Sequence, residues 1–292
     1  MNYYEEIKKE LLDNEVNKTV KDCSKNEYEI KKYCAVGKLL LDAGSQYGER
    51  IIKEYSERLK REIGRKYSVR YLFDIRRLYL FSKVHPVGAQ LTISHYRLLF
   101  PLDDREIDYY MQQVIERNLS KRDLEAIIKS REYSRIPAET KCKLADKKRL
   151  RVEDFVKNPI NIRDDSSYEA FSEKILQKLI LEDIESFMKE LGNSFCFIGS
   201  EYKIKIGGTY NYIDLLLFNY EYDCFVVIEL KVSELKKEHI GQLQIYMNYI
   251  DRNLKKPSHD KTIGIIICRQ QNKYVIKYCS DNRIIAREYN LV

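Results

Sequence analysis

The sequence predicts an α+β protein of two domains: a helical first half, then a mixed α/β half of αβββαβ order. Three observations predict it. The chain has 292 residues, which suggests two domains or one large one. Its rhythm changes near the middle, from apolar residues at helical spacing to short apolar runs separated by turn residues. Charge divides the same way. Lys and Arg outnumber Asp and Glu by 32 to 24 in residues 1–150, but count 20 against 21 in residues 151–292.

In the first half a helix is expected over Tyr28–Leu41, with Gly44 as its stop. A second runs from about Gly48 to Ile63, with Ile51, Ile52, Tyr55 and Leu59 on one face and Gly64 as its breaker. Ser68 is the expected N-cap of a third, through Phe81. There Leu72, Ile75, Leu78 and Tyr79 form an inward stripe, Arg70, Asp74 and Arg77 share another face, and Arg76 flanks them. Pro86 and Gly88 mark a turn, Leu91–Leu99 is a short wing-like segment, and Asp104–Asn118 is helical. Ser120-Lys121-Arg122-Asp123 opens a further helix with a capping-box pattern. Helix, glycine turn, arginine-bearing helix and wing-like segment resemble a winged helix-turn-helix, whose third helix can enter a major groove. A helical bundle whose arginines face water fits the same residues. The basic excess is concentrated in residues 51–100, with 11 basic against 4 acidic residues, as suits a surface that grips a polyanion.

Residues 136–162 are polar, carry Pro137 and Pro159, and include the basic run from Lys141 to Arg151; they read as a basic linker between domains 1–135 and 163–292. Tyr168–Leu191 is expected as one amphipathic helix, closed by Gly192. Phe195–Ile198 and Glu201–Ile206 are expected strands, Gly207-Gly208 a hairpin turn, and Asn211–Phe218 and Cys224–Lys231 the next strands. Glu238–Leu254 is a helix, Lys261–Cys268 a buried strand, and Ile284–Tyr289 a last edge strand. Seven scattered cysteines without a CxxC pair read as reduced packing residues. No run spans a membrane and the first residues lack a secretory pattern, so a cytoplasmic protein is expected.

Alternation along a strand points Glu229 and Lys231 the same way, with Leu230 behind them. If the Asp214 and Glu229 strands pair around the turn between them, two carboxylates and an ammonium converge. Such a set suits metal-assisted phosphodiester hydrolysis. From these residues alone, a surface ion pair between Glu229 and Lys231 is the alternative.

An Asp followed by Glu-x-Lys on the next strand resembles the PD-(D/E)XK superfamily, with its restriction-endonuclease-like fold. Gly199-Ser200-Glu201-Tyr202, Gly207-Gly208, Tyr212 to Leu216, Val226 to Lys231, Gly241-Gln242-Leu243 and Thr262 to Cys268 follow in the order of YhcG-like nucleases. Val36-Gly37-Lys38, Tyr47-Gly48, Leu91 to Tyr96 and Leu119 to Leu124 resemble that family's N-terminal domain. The resemblance implies that Asp214 and Glu229 hold Mg²⁺ or Mn²⁺, with the Leu230 carbonyl as a further ligand. It implies that Lys231 orients or activates the attacking water. Gln242 and Tyr246 match a Q-x-x-x-Y pattern, with Gln242 beside the metal and Tyr246 toward the substrate backbone. Members often carry an acid in the preceding helix; Gln177 stands there instead, so either Glu173 or Glu169 takes that part or the enzyme works without it. The implied function is a metal-dependent DNA nuclease. Its partner is DNA, duplex or branched, held in part by Arg70, Arg76 and Arg77. A homo-oligomer is compatible with the sequence, and no membrane partner is expected. A DNA-binding or assembly protein that keeps the nuclease fold as scaffold, or an RNA-cleaving nuclease, are the alternatives.

Overall fold

A computed structural model of the chain describes residues 2–20, 25–85, 90–146, 148, 150–164, 172–192 and 194–292. The chain divides into two compact units, Met1–Tyr133 and Ser134–Val292.

The first unit is helical: α1 (Tyr3–Val20), α2 (Lys25–Tyr47), α3 (Arg50–Glu62), α4 (Val69–Phe81), α5 (Ile93–Leu99), α6 (Asp104–Arg117) and α7 (Lys121–Lys129), with α8 (Glu132–Arg135) at the boundary. Three of them start on a side-chain cap. Ser68 accepts from the Tyr71 amide and starts α4, Asp103 caps α6, and Ser120 with Asp123 closes a capping box on α7. Leu72, Ile75 and Leu78 are the buried stripe of α4. It crosses α2 at Gly37, where a Cβ would meet the Ile75 carbonyl oxygen at 2.5 Å. Gly44 does not stop α2, which runs to Tyr47; Gly48, with φ of 79°, follows it in the left-handed region that favours glycine. The wing-like expectation for Leu91–Leu99 is corrected: the segment is α5, because Thr92 and His95 form a capping box at its start. Among the described residues of this unit there is no strand. The expected turn at Pro86 and Gly88 lies outside the described residues.

The second unit holds α9 (Ala138–Ala145), α10 (Val152–Phe155), β1 (Ile160–Ile162), α11 (Glu173–Glu182), α12 (Ile184–Leu191), β2 (Phe195–Ile206), β3 (Thr209–Asn219), β4 (Cys224–Glu234), α13 (Lys237–Asn253), β5 (Ile263–Gln270), α14 (Lys273–Lys277) and β6 (Ile284–Leu291). Its six strands form one mixed sheet in the order β1-β6-β5-β4-β3-β2. The pairs β2–β3 and β3–β4 are antiparallel, whereas β4–β5, β5–β6 and β6–β1 are parallel. The central β4 is buried on both faces from Cys224 to Lys231, which explains its near-continuous apolar run. Leu176, Leu179, Ile180, Phe187 and Leu191 of α11 and α12 cover one face through Leu215, Ile228, Leu230 and Ile265. Leu243, Tyr246, Met247 and Ile250 of α13 cover the other through Leu216, Val227 and Ile266. α13 approaches β5 so closely that a Cβ on Gly264 would meet the Met247 sulfur at 2.5 Å.

Three expectations change here. Residues 136–162, expected as a linker, carry α9, α10 and β1; Ile160 and Ile162 are buried at the sheet margin. β6 is consequently not an edge strand, because β1 covers it. The single helix expected to end at Leu191 is two, broken at Asp183. The Asp183 side chain caps the Ser186 amide, and its backbone leaves helical geometry at φ −130°, ψ 56°. The expected start of that helix, Tyr168 to Phe171, lies outside the described residues.

Candidate active site

The sheet places Asp214, Glu229 and Lys231 together. β3 and β4 pair from Asn219↔Cys224 as far as Leu215↔Ile228 and then part. Where the ladder ends, the Asp214 carboxylate takes over: its Oδ2 accepts the Leu230 amide hydrogen at 2.7 Å. The same residue is a kink. Ile213 packs in the α13 layer and Leu215 in the α11 layer, so the face alternation of β3 slips by one residue at Asp214. Across the hairpin, Glu201 lies between the pairs Ser200↔Leu215 and Tyr202↔Ile213, and its φ is +46°. Left-handed backbone at a non-glycine residue is a local cost that clusters at functional sites.

Glu229 and Lys231 follow on β4, on the face opposite Leu230. Glu229 is only 2% exposed. Its Oε1 accepts from the Lys231 ammonium at 2.8 Å, whereas its Oε2 is buried without a hydrogen-bond partner. Burial, then the nearby Asp214 charge, push the Glu229 carboxyl up to about 7. Asp214 is also raised, chiefly by burial, against the opposing effect of the Leu230 amide. Burial pulls the Lys231 ammonium down, but its bonds to Glu229 and Glu173 outweigh that, and its pKa ends above the ordinary value. Lys231 therefore stays a proton-bearing cation rather than a free base.

The remaining candidates divide. Glu173, at the start of α11, accepts from Lys231 at 3.2 Å and is a partner of the lysine. Gln177, one turn on, donates its side-chain amide to the Asp214 carbonyl at 2.9 Å and fixes the kink. Glu169 lies outside the described residues. Gln242 does lie on one face with Tyr246, donating to its hydroxyl at 3.0 Å. The Tyr246 ring, however, is 5% exposed and packs in the α13 core. It does not present itself to a substrate, because spacing of four fixes a shared face without fixing exposure. Sequence reasoning gave no role to His239, whose pKa is lowered by burial and then by the Lys231 charge. It gave none to Glu201 beyond its place in a motif.

In the first unit Arg70 is exposed. Arg76 is paired with Glu49 at 2.6 Å. Arg77 donates to the Phe100 carbonyl at 2.6 Å and lies over the Phe100 ring. Of the three arginines expected to face a substrate, two thus carry bonds within their own unit, and Arg77 is exposed as Arg70 is.

The site residues fit a divalent cation. Two carboxylates raised by burial, one with an orphaned oxygen, form a hard-oxygen pair whose two charges face the single ammonium of Lys231. A strand residue's N–H and C=O leave the same edge, so the Leu230 carbonyl emerges beside Asp214, beyond the last paired residue of β3. Among the described residues no group of three or more His, Cys, Asp or Glu side chains is drawn together. The donor set is a pair with a backbone oxygen, not a full side-chain cage.

Comparison with known proteins matches both halves of the chain to domain families. The YhcG PDDEXK nuclease domain matches residues 153–292, and the DUF1016 N-terminal domain matches residues 8–135. The chain is 24% identical to the protein described as "Putative nuclease YhcG" of Escherichia coli (strain K12), over 96% of this chain and 88% of that protein. Partial likenesses include a repair endonuclease from Pyrococcus abyssi, at 18% identity and a TM-score of 0.30, covering 42% of this chain and 49% of that one. EndoMS in complex with dsDNA gives 20% identity and a TM-score of 0.32, covering 43% of this chain and 48% of that one. This chain thus spans about half the length of those two structures. Residues 153–292 therefore belong to the YhcG PDDEXK nuclease domain family, and residues 8–135 to the DUF1016 N-terminal domain family.

Proposed function

We propose that this nuclease-family chain hydrolyses DNA phosphodiester bonds with a divalent cation, Mg²⁺ or Mn²⁺, and that its first unit binds the DNA. One observation carries the metal reading: Glu229 Oε2 is buried and unpartnered beside Asp214. A carboxylate oxygen left so is costly unless a cation completes it.

Asp214, Glu229 and the Leu230 carbonyl would hold the cation. When bound, it supplies charge for the phosphate oxygens and a lowered pKa for its water. The chain's own groups do the rest. The Leu230 amide fixes one Asp214 oxygen and so aims the other. Gln177 holds the Asp214 backbone where β3 kinks. Lys231, tied to Glu229 and Glu173, keeps its proton and can donate to water or a phosphate oxygen. The basic excess of the first half supports a polyanion partner, with exposed Arg70 as the contact in that reading.

The test is cleavage by the full-length protein of linear, nicked, branched and single-stranded DNA and of RNA, with EDTA, Mg²⁺, Mn²⁺ or Ca²⁺. Cleavage of DNA with Mg²⁺ or Mn²⁺, lost with EDTA, is expected. RNA cut in preference would replace the substrate. DNA binding without cleavage, together with no divalent binding by calorimetry, would make the fold a scaffold.

A further inference from the structure

The outer half of the β2–β3 hairpin projects past the last β3–β4 pair as a two-stranded arm. Its two faces differ sharply. On one, Ile204 and Ile213 are buried, with Tyr202 and Ile206 against the same core. On the other, Lys203 pairs with Tyr212 and Lys205 with Tyr210 in the strand register. Both tyrosines are 52% exposed, and both lysines are exposed. The row runs along β3 toward Asp214: Tyr212 is two residues from it, or about 7 Å along a strand. An antiparallel pair with one solvated face turns polar residues outward on that face. Two open aromatic rings interleaved with two ammonium groups, beside a phosphodiester-cutting site, make a surface of different chemistry. The Lys203 ammonium lies 3.8 Å from the Tyr210 ring centroid and that of Lys205 5.8 Å. The Tyr210 ring is thus covered by cations that a phosphate can draw away. The one carboxylate on the path is Glu201, at the Asp214 end of the arm.

We propose that this arm is a binding surface for the unpaired nucleotides next to the cleaved phosphate, with bases stacked on Tyr210 and Tyr212 and phosphates on Lys203 and Lys205. The inference rests on the nuclease reading above, and it names the substrate class: nucleic acid with an unpaired segment, as in a branch, flap or single strand. Stacking is tolerant of sequence because every base has a π face, while the lysines follow the backbone. A closed duplex keeps its bases stacked on each other and has nothing to offer the rings. The glycines of the hairpin tip, Gly207 and Gly208, are both exposed.

The test uses the full-length protein with Glu229→Gln to hold back cleavage. The probes are a single strand and a flap carrying 2-aminopurine near the junction, and a blunt duplex of the same sequence. Binding should quench 2-aminopurine. Tyr210→Ala with Tyr212→Ala should remove the quench and weaken the single strand and flap between about five- and a hundredfold per stacked base, with duplex affinity unchanged. The Tyr→Phe pair should restore both. Lys203→Ala with Lys205→Ala should instead lower the salt slope, by about 0.7 for each phosphate no longer neutralised. Equal losses for duplex and single strand, no quench in the parent protein, or parent-like affinity in the tyrosine variants would overturn the proposal. Cleavage of the flap in the wild-type background separates the two readings. If Asp214→Ala is inactive while the double tyrosine variant cuts flap and duplex like wild type, the arm proposal fails and the nuclease reading stands. If Asp214→Ala still cuts, the nuclease site itself is misplaced.

Discussion

Asp214 Oδ2 accepts the Leu230 N–H at 2.7 Å, so one carboxylate both ends the β3–β4 ladder and enters the proposed metal site. The two duties separate by substitution. Asp214→Asn keeps an oxygen for the Leu230 amide and removes a charge that burial disfavours. In EDTA at neutral pH it should melt at or above wild type. Asp214→Ala leaves that amide without its partner and should lose about 1–2 kcal/mol. Both should lose divalent binding and cleave on the order of a hundredfold or more slowly. Wild-type cleavage by the Asn variant would remove Asp214 from the metal site.

Lys231 holds Glu229 at 2.8 Å and Glu173 at 3.2 Å, and the two bonds are not equivalent. Glu173 is much more exposed than Glu229, with side-chain exposures of 44% and 3%. Glu173→Gln should therefore slow cleavage modestly, within about tenfold. Lys231→Ala strands Glu229 in a buried setting and should slow it by on the order of a hundredfold or more. Single-turnover rates with saturating metal distinguish the two. Equal losses would place Glu173 in the metal site rather than behind the lysine.

In the first unit the arginines should separate by readout. Arg70→Ala in the full-length protein should reduce the salt slope of duplex binding by about one unit without changing stability. Arg77→Ala breaks the Phe100 carbonyl bond and ring contact, and should cost about 1–2 kcal/mol in stability. Denaturant melts and binding titrations at several salt concentrations report each. A salt slope unaltered by Arg70→Ala would remove that residue from the DNA-binding reading.

How much of this was legible depends on the kind of signal. The strands of Asp214 and Glu229 were readable because apolar runs bounded by turn residues mark them, and alternation then put Glu229 and Lys231 on one face. The helix over Glu238–Leu254 was likewise readable, and α13 buries Leu243, Tyr246, Met247 and Ile250. What escaped depends on tertiary context. β1 has three residues in a polar stretch, and becomes a strand only because β6 offers an edge. The break at Asp183 interrupts no hydrophobic period; it is made by a cap. The left-handed backbone at Glu201 opposite Asp214 carries no glycine to announce it. Tyr246 shares a face with Gln242, as spacing predicts, but spacing cannot say that its ring is buried.

The raised Glu229 carboxyl makes metal binding a proton-releasing event. In the fold its pKa is about 7 against an ordinary 4.5, because of burial and then Asp214, with Lys231 opposing them and Glu173 adding to the rise. A carboxyl raised in the folded state favours the fold when neutral. Its contribution to metal-free stability should therefore fall as pH rises from about 4.5 to about 7. A bound cation needs the ionised form. Near pH 6 most of the metal-free protein carries the proton, so binding Mn²⁺ should release up to about one proton, shared between Glu229 and Asp214 as a coupled pair. Affinity should rise about tenfold per pH unit below 7 and level off above it. Titration calorimetry in two buffers of different ionisation enthalpy should show this release near pH 6 and little near pH 8.5. In Glu229→Gln the release should shrink along with the affinity. Affinity independent of pH over this range would mean that Glu229 is already ionised and that its buried oxygen is satisfied by something other than a cation.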